Sequence, residues 1–158
     1  MNIDTAVQTL CDAGVEFVII GGWSAILHGS ASVTSDLDIF FSRKSDNLRR
    51  LVQALAPHHP RLRDLPVGLP FIWDQATLRN GAIFTLTTDL GPIDLLAEVS
   101  GLGSFEDVLA ASVTVDAFDR RVRTLDLKSL IRAKRAAGRE KDLRALPELE
   151  SLLEAEEP

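Results

Sequence analysis

Val15–Ile20 is a short β-branched run, followed at once by Gly21-Gly22 and then by Trp23–His28, a segment with room only for a short helix closed by Gly29. Such a run, bounded by acidic and glycine punctuation, reads as a strand covered on both faces. A strand of this kind needs helices on either side of its sheet, which places the chain in the α/β (α+β) class. The flanking pattern agrees. Ile3, Ala6, Val7, Leu10 and Cys11 repeat at helical spacing before a stop at Gly14. Leu37–Phe41 reads as a second strand, and Asp46–Leu55 as a helix with Ser45 as its N-cap and Leu48, Leu51, Val52 and Leu55 on one face.

Pro57, Pro60, Pro66 and Pro70 fall in a stretch without periodicity, so 56–70 reads as a loop or insertion. Ala82–Thr88 and Ile93–Val99 are strand-like runs joined by Asp89-Leu90-Gly91-Pro92, a turn composition that makes them an antiparallel pair. Val113–Phe118 and Arg121–Leu125 form a second hairpin. Asp126 then caps a helix with the apolar stripe Leu127, Leu130, Ile131, continuing to position 134 and ending at Gly138. A final short helix is expected to begin at Pro147 and to carry Leu149, Leu152 and Leu153. The expectation is a single domain over 1–158, a small mixed twisted sheet flanked by helices, with a basic helical segment at 126–154. A length of 158 residues suits one domain.

Composition narrows the function classes. Aromatic content is 6% with no Tyr, which leaves few ring platforms for stacking single-stranded bases. One cysteine, Cys11, and three histidines, with His58 and His59 adjacent in the Pro-rich stretch, offer neither a disulfide nor a zinc-ligand spacing. A cytoplasmic chain is expected, since the first residues lack the basic and apolar regions of a signal peptide. No membrane partner is expected, because the longest apolar stretch, Phe17–Leu27, has 11 residues and contains a Gly pair.

The net charge of −6 conceals an asymmetry: Asp119–Arg144 holds ten basic residues against four acids, a local +6, and the rest of the chain carries −12. A basic segment on an acidic body can receive a polyanion, RNA included; a solvated helix face is the alternative.

The candidate chemistry lies in carboxylates. Asp36 and Asp38 are two apart at the start of a strand, so both side chains share one face while Leu37, Ile39 and Phe40 tie the strand into the core. Two like charges so close need a neutralising partner, and a divalent cation with oxygen ligands such as Mg2+ fits. A solvated pair at a strand end is the alternative. Asp94, in Gly91-Pro92-Ile93-Asp94-Leu95-Leu96, stands near the start of an apolar strand, where a lone charge is costly to bury. Three such carboxylates can align a triphosphate with an acceptor hydroxyl for in-line displacement. Gly21-Gly22, between strand and helix, lets backbone N–H groups approach a phosphate, or serves a purely steric need. Lys134 continues the apolar stripe of its helix, so its ammonium either meets a buried anion or snorkels at the helix C-terminus.

The string Ile20–Ile39 (IGGWSAILHGSASVTSDLDI) resembles the signature of the nucleotidyltransferase superfamily that includes DNA polymerase beta: hydrophobic residue, Gly, Gly or Ser, a spacer, then Asp-h-Asp/Glu-h. Thirteen residues separate Gly22 from Asp36. Together with IDLLAEV at 93–99 and AKRAAGREKDL at 133–143, the pattern is similar to small bacterial nucleotidyltransferases related to AbiEii toxins and MNT-type proteins. The resemblance implies that Gly21 and Gly22, with Trp23 and Ser24, hold the phosphates of an NTP. Asp36, Asp38 and Asp94 would bind Mg2+, with Asp94 also helping to activate the acceptor hydroxyl. Lys134 would contact the triphosphate, with Arg139, Lys141 and Asp142 around it. It further implies transfer of a nucleoside monophosphate, with release of pyrophosphate, to tRNA or other RNA docked on Arg120–Arg144, or to a cognate toxin or antitoxin protein. A catalytically silent nucleotide-binding or protein-interaction module of the same fold is the alternative. Among the remaining polar residues, a capping or core role is expected for His28, an orienting or strand-ending role for Thr34 and Ser35, and a place on the face of Asp94 or in an edge salt bridge for Glu98.

Overall fold

The structure, a computed structural model, describes residues 1–157. Its helices are α1 (Ile3–Asp12), α2 (Gly21–Leu27), α3 (Ser45–Leu55), α4 (Gln75–Arg79), α5 (Phe105–Ala110), α6 (Leu127–Ala137) and α7 (Glu140–Glu156). Its strands are β1 (Phe17–Ile20), β2 (Leu37–Phe41), β3 (Arg61–Leu62), β4 (Ile83–Thr88), β5 (Gly91–Leu96), β6 (Ser112–Ala117) and β7 (Arg120–Leu125). They form one mixed sheet in the order β3-β4-β5-β2-β1-β7-β6. β2 runs antiparallel to β1 and parallel to β5, and both expected hairpins are present as β4-β5 and β6-β7. The sheet is flanked by helices as the sequence implied, and no helix among the described residues is long and apolar enough to cross a membrane.

The two-residue alternation of strand side chains sorts the core into two layers. Phe17, Ile19, Leu37, Ile39, Phe41, Ile93 and Leu95 pack with α1, α3 and α4 on one face. Val18, Ile20, Phe40 and Leu125 pack with α5, α6 and α7 on the other. Phe40 and Phe41 are therefore both fully buried although they point in opposite directions. The same parity carries Asp38 and Asp94 to the face of α6 and α7. Each wholly buried Leu or Ile of these layers contributes on the order of 1.5–3 kcal/mol relative to exposure.

Several boundaries differ from expectation. Ser45 is the first residue of α3, not its cap; Lys44 stands at the cap position without a side-chain bond. Buried Asn47 instead ties the helix start to β1 and β2, accepting from the Glu16 amide at 2.6 Å and donating to the Ser42 carbonyl at 2.8 Å. β5 begins at Gly91 and ends at Leu96, so Glu98 lies beyond the strand and is exposed. The Pro-rich stretch contains β3, whose pairing partner β4 lies more than twenty residues downstream and leaves no local signal. The C-terminal helix starts seven residues before Pro147 and runs through it. Pro147 removes one amide from the ladder, and the carbonyl four residues back belongs to Leu143, which is half exposed and open to water. The helix begins early because Asp142, in its first turn, accepts hydrogen bonds from the Arg139 backbone and guanidinium.

Candidate functional site

β2 and β5 are paired so that Asp38 and Asp94 are direct neighbours across the ladder, with Asp36 just ahead of β2. All three line a cavity of about 410 Å³. Its far wall is α6 with the start of α7, which bring in Lys134, Arg139, Lys141 and Asp142, and its floor includes Gly21 and Gly22. Three segments that are remote in sequence thus converge on one concavity, acids on one side and cations on the other. An aliphatic strip of Leu96, Val99, Leu102, Leu130 and Ala133 completes the lining.

The acidic wall is crowded. Burial first, and then the charge of Asp94 and a hydrogen bond shared with it, push the Asp38 carboxyl from an ordinary 3.8 up to about 7. Asp36 adds to this repulsion, and Lys141 partly offsets it. Ser35 donates to Asp36 at 2.9 Å. A cation absent from the sequence expectation, Arg63, completes the cluster. It leaves the end of β3, donates from Nη2 to Asp94 Oδ1 at 2.7 Å and to the Leu86 carbonyl at 2.9 Å, and brings Nη1 to 3.8 Å from Asp36 Oδ2. Arg63 lies in the stretch read as a loop or insertion, and only the pairing of β3 with β4 places it here.

The basic wall is organised by a buried anion. Asp142 is 2% exposed and accepts from Arg139 Nε at 2.6 Å, while Lys134 Nζ stands 3.7 Å from its other oxygen. Burial alone would raise this carboxyl, but the Arg139 hydrogen bond and the charges of Arg139 and Lys134 hold it below its ordinary value. The ammonium of Lys134 therefore meets an anion inside the cavity, the first of the two readings its place in the apolar stripe allowed.

The glycine pair has a demonstrable steric role. Gly21 adopts φ +65°, and a Cβ there would sit 2.3 Å from Asp38 Oδ2. A Cβ on Gly22 would sit 2.8 Å from the side chain of Thr34. Gly21 lets the turn lie against the Asp38 carboxylate, and Gly22 lets it lie against Thr34. The first turn of α2 also lacks a side-chain cap, so no side chain occupies its amides.

Trp23 and Ser24 do not join this site, contrary to expectation. The helix rotates by about 100° per residue, which turns Trp23 edge-on to Phe118 at 5.8 Å and directs the buried Ser24 hydroxyl to Thr124 Oγ1 at 2.6 Å. His28 is structural: it ends α2 and its Nε2 lies 2.7 Å from the Leu125 carbonyl oxygen. His59 is exposed and pairs with Asp89 at 2.6 Å. The basic segment Arg120–Arg144 is not a free cationic strip either. Arg120, Arg121, Lys128, Lys134, Arg135, Arg139 and Arg144 each stand in an ion pair, with Asp12, Asp116, Glu157, Asp142, Glu150, Asp142 and Glu140 respectively. Folding neutralises much of the +6 locally, which the linear count could not show.

Among the described residues, no three acidic, His or Cys side chains are gathered as a complete metal-ligand set. The donor chemistry nevertheless suits a hard divalent cation: oxygen-only groups, two of them in register, with the Asp38 carboxyl pushed up to about 7 by burial first and then by the charge of Asp94.

No family model matches the sequence, and no curated protein matches it. The fold is similar to the crystal structure of a protein from Thermotoga maritima, provisionally described as a nucleotidyltransferase. The two agree with a TM-score of 0.58 at 14% identity, over 92% of this chain and 88% of that one. This chain thus has a nucleotidyltransferase-like fold, and its three expected carboxylates lie within a single cavity of it.

Proposed function

We propose that the chain is an Mg2+-dependent nucleotidyltransferase that moves a nucleoside monophosphate from an NTP to an acceptor hydroxyl. One observation carries this reading: Asp36, Asp38 and Asp94 face Lys134, Arg139 and Lys141 across one cavity, the charge layout that a metal-bound triphosphate requires. Asp36, Asp38 and Asp94 would hold the metal, which when bound offsets charge on the phosphates and polarises the α-phosphorus. Lys134 and Arg139, fixed by Asp142, receive the β- and γ-phosphates, and the uncapped turn at Gly21 and Gly22 offers backbone amides to them. The aliphatic strip accepts the nucleoside. The acceptor oxygen attacks the α-phosphorus, the bond to the β-phosphate oxygen breaks, pyrophosphate leaves, and Asp94 takes the hydroxyl proton. With no Tyr in the chain, self-modification on tyrosine is excluded.

A second reading, a silent nucleotide-binding or protein-interaction module, draws support from Arg63, which already occupies Asp94 and approaches Asp36. The test is incubation with α-labelled NTPs and Mg2+, with tRNA in one arm and candidate partner proteins in the other. Label on tRNA makes the chain toxin-like; label on a partner protein makes it antitoxin-like. Because the cations of Arg120–Arg144 are largely paired, an RNA acceptor would dock mainly through the cavity mouth. The reading fails if no acceptor is labelled and calorimetry finds no Mg2+-dependent NTP binding that the double variant Asp36→Asn/Asp38→Asn abolishes. NTP binding without label on any acceptor would favour the silent module.

A further inference from the structure

Arg63 follows β3, two strands along the sheet from Asp94, and reaches the carboxylates across β4. Its backbone amide is fixed to the Thr85 carbonyl at 2.8 Å, and Thr85 is the register partner of Asp94 on the adjoining strand. The side chain therefore emerges beside Asp94 with little freedom. One guanidinium nitrogen is shared between a backbone carbonyl, Leu86 at 2.9 Å, and Asp94 Oδ1 at 2.7 Å; the other faces Asp36 at 3.8 Å. The Nε is buried without a hydrogen-bond partner, so the group gives up solvation to sit there. That cost is offset by the carboxylates and the Leu86 carbonyl, and no other cation forms an ion pair with Asp36 or Asp94 among the described residues.

From this geometry we infer that Arg63 is an internal counter-cation that competes with a divalent metal for Asp94 and Asp36, and so sets the metal affinity of the site. The inference rests on the reading of the cavity as a metal–nucleotide site and adds a control to it. A lone pair of Asp94 Oδ1 that accepts the guanidinium at 2.7 Å is not free for a metal. Binding of a divalent ion has to loosen this contact, and the free site is held in reserve until the metal arrives with enough negative phosphate to compensate. The consequence is weak binding of bare metal and a steep gain when NTP is present. A guanidinium is a delocalised, planar cation, and lysine, a compact point charge, would not span Leu86, Asp94 and Asp36 together.

The experiment is calorimetric titration of the full chain with Mn2+ and with Mg2+, each without nucleotide and then with a non-hydrolysable NTP, on wild type, Arg63→Gln and Arg63→Lys. Thermal melts are recorded in EDTA and in saturating metal. Arg63→Gln is expected to bind bare metal at least about fivefold more tightly than wild type, with Arg63→Lys between them. In EDTA the Gln variant should melt lower than wild type, and metal should raise its melting temperature by more. A folded Arg63→Gln or Arg63→Lys protein that binds bare metal no more tightly than wild type overturns the competition. In that case wild type still binding Mg2+ together with NTP leaves the transferase reading standing. Metal binding absent from every variant, with and without NTP, overturns both.

Discussion

Replacing Asp38 with asparagine should remove the loss of stability with rising pH that this site imposes. The folded carboxyl is raised from an ordinary 3.8 to about 7, by burial first and then by Asp94. Between those values the folded chain holds a proton that the unfolded chain has released. Stability is therefore lost as pH rises through that window, and the loss is complete above about 7. A shift of about three units at 1.36 kcal/mol each sets a ceiling of about 4 kcal/mol. Partial solvent access at the cavity reduces this, so roughly 2–4 kcal/mol is expected. The amide introduced by Asp38→Asn would carry no charge at any pH, and it can donate to Asp94 as the protonated carboxyl does. Urea unfolding followed by circular dichroism, in EDTA from pH 4.5 to 8.5, gives the comparison as a difference between variant and wild type, which cancels other titrating groups. The variant should match wild type within about 1 kcal/mol at the acid end and exceed it by roughly 2–4 kcal/mol at pH 8. Saturating Mg2+ at pH 8 should close the gap by stabilising wild type alone. A difference that stays constant with pH, or a variant less stable at pH 8, would refute the account of a buried, mutually repelling pair.

Three further outcomes are expected. Asp142→Asn should destabilise the chain by about 1–3 kcal/mol at neutral pH, by removing the anion that pairs Arg139 and Lys134. Because that carboxyl is held low in the fold, its contribution is present above 3.8 and fades as pH falls below it, so the wild-type advantage in chemical denaturation should shrink toward pH 3. Gly21→Ala should cost about 1–3 kcal/mol in the same assay, since it places a methyl 2.3 Å from Asp38 Oδ2 at a positive φ, and it should weaken Mg2+–NTP binding; unchanged affinity would separate Gly21 from the site. Leu149→Ala should cost roughly 2–5 kcal/mol, because Leu149 is fully buried in the layer beneath α6. A neutral result there would mean that the helix running through Pro147 does not dock as described.

Much of the site was legible in the chain because its signals are local. Period-2 spacing put Asp36 and Asp38 on one face, and the stripe Leu127, Leu130, Ile131 pointed Lys134 inward. The same spacing could not say that Asp38 and Asp94 are partners, which depends on the parallel register of β2 and β5. Trp23 and Ser24 were assigned to the phosphate site by motif position, and the turn of α2 sends them to Phe118 and Thr124. Pro147 read as a helix start because proline suits the first turn, but Asp142 supplies an earlier one.

Arg63 marks the boundary most clearly. Hydrophobic periodicity, glycine punctuation and carboxylate spacing arise from neighbours along the backbone, so the α/β class, the two hairpins and the three acids could be read in one dimension. The counter-cation of those acids comes from a two-residue strand in a proline-rich stretch, paired with a strand more than twenty residues away. Its role depends on a charge placed by sheet order, and Coulomb energy follows distance through space, not separation along the chain.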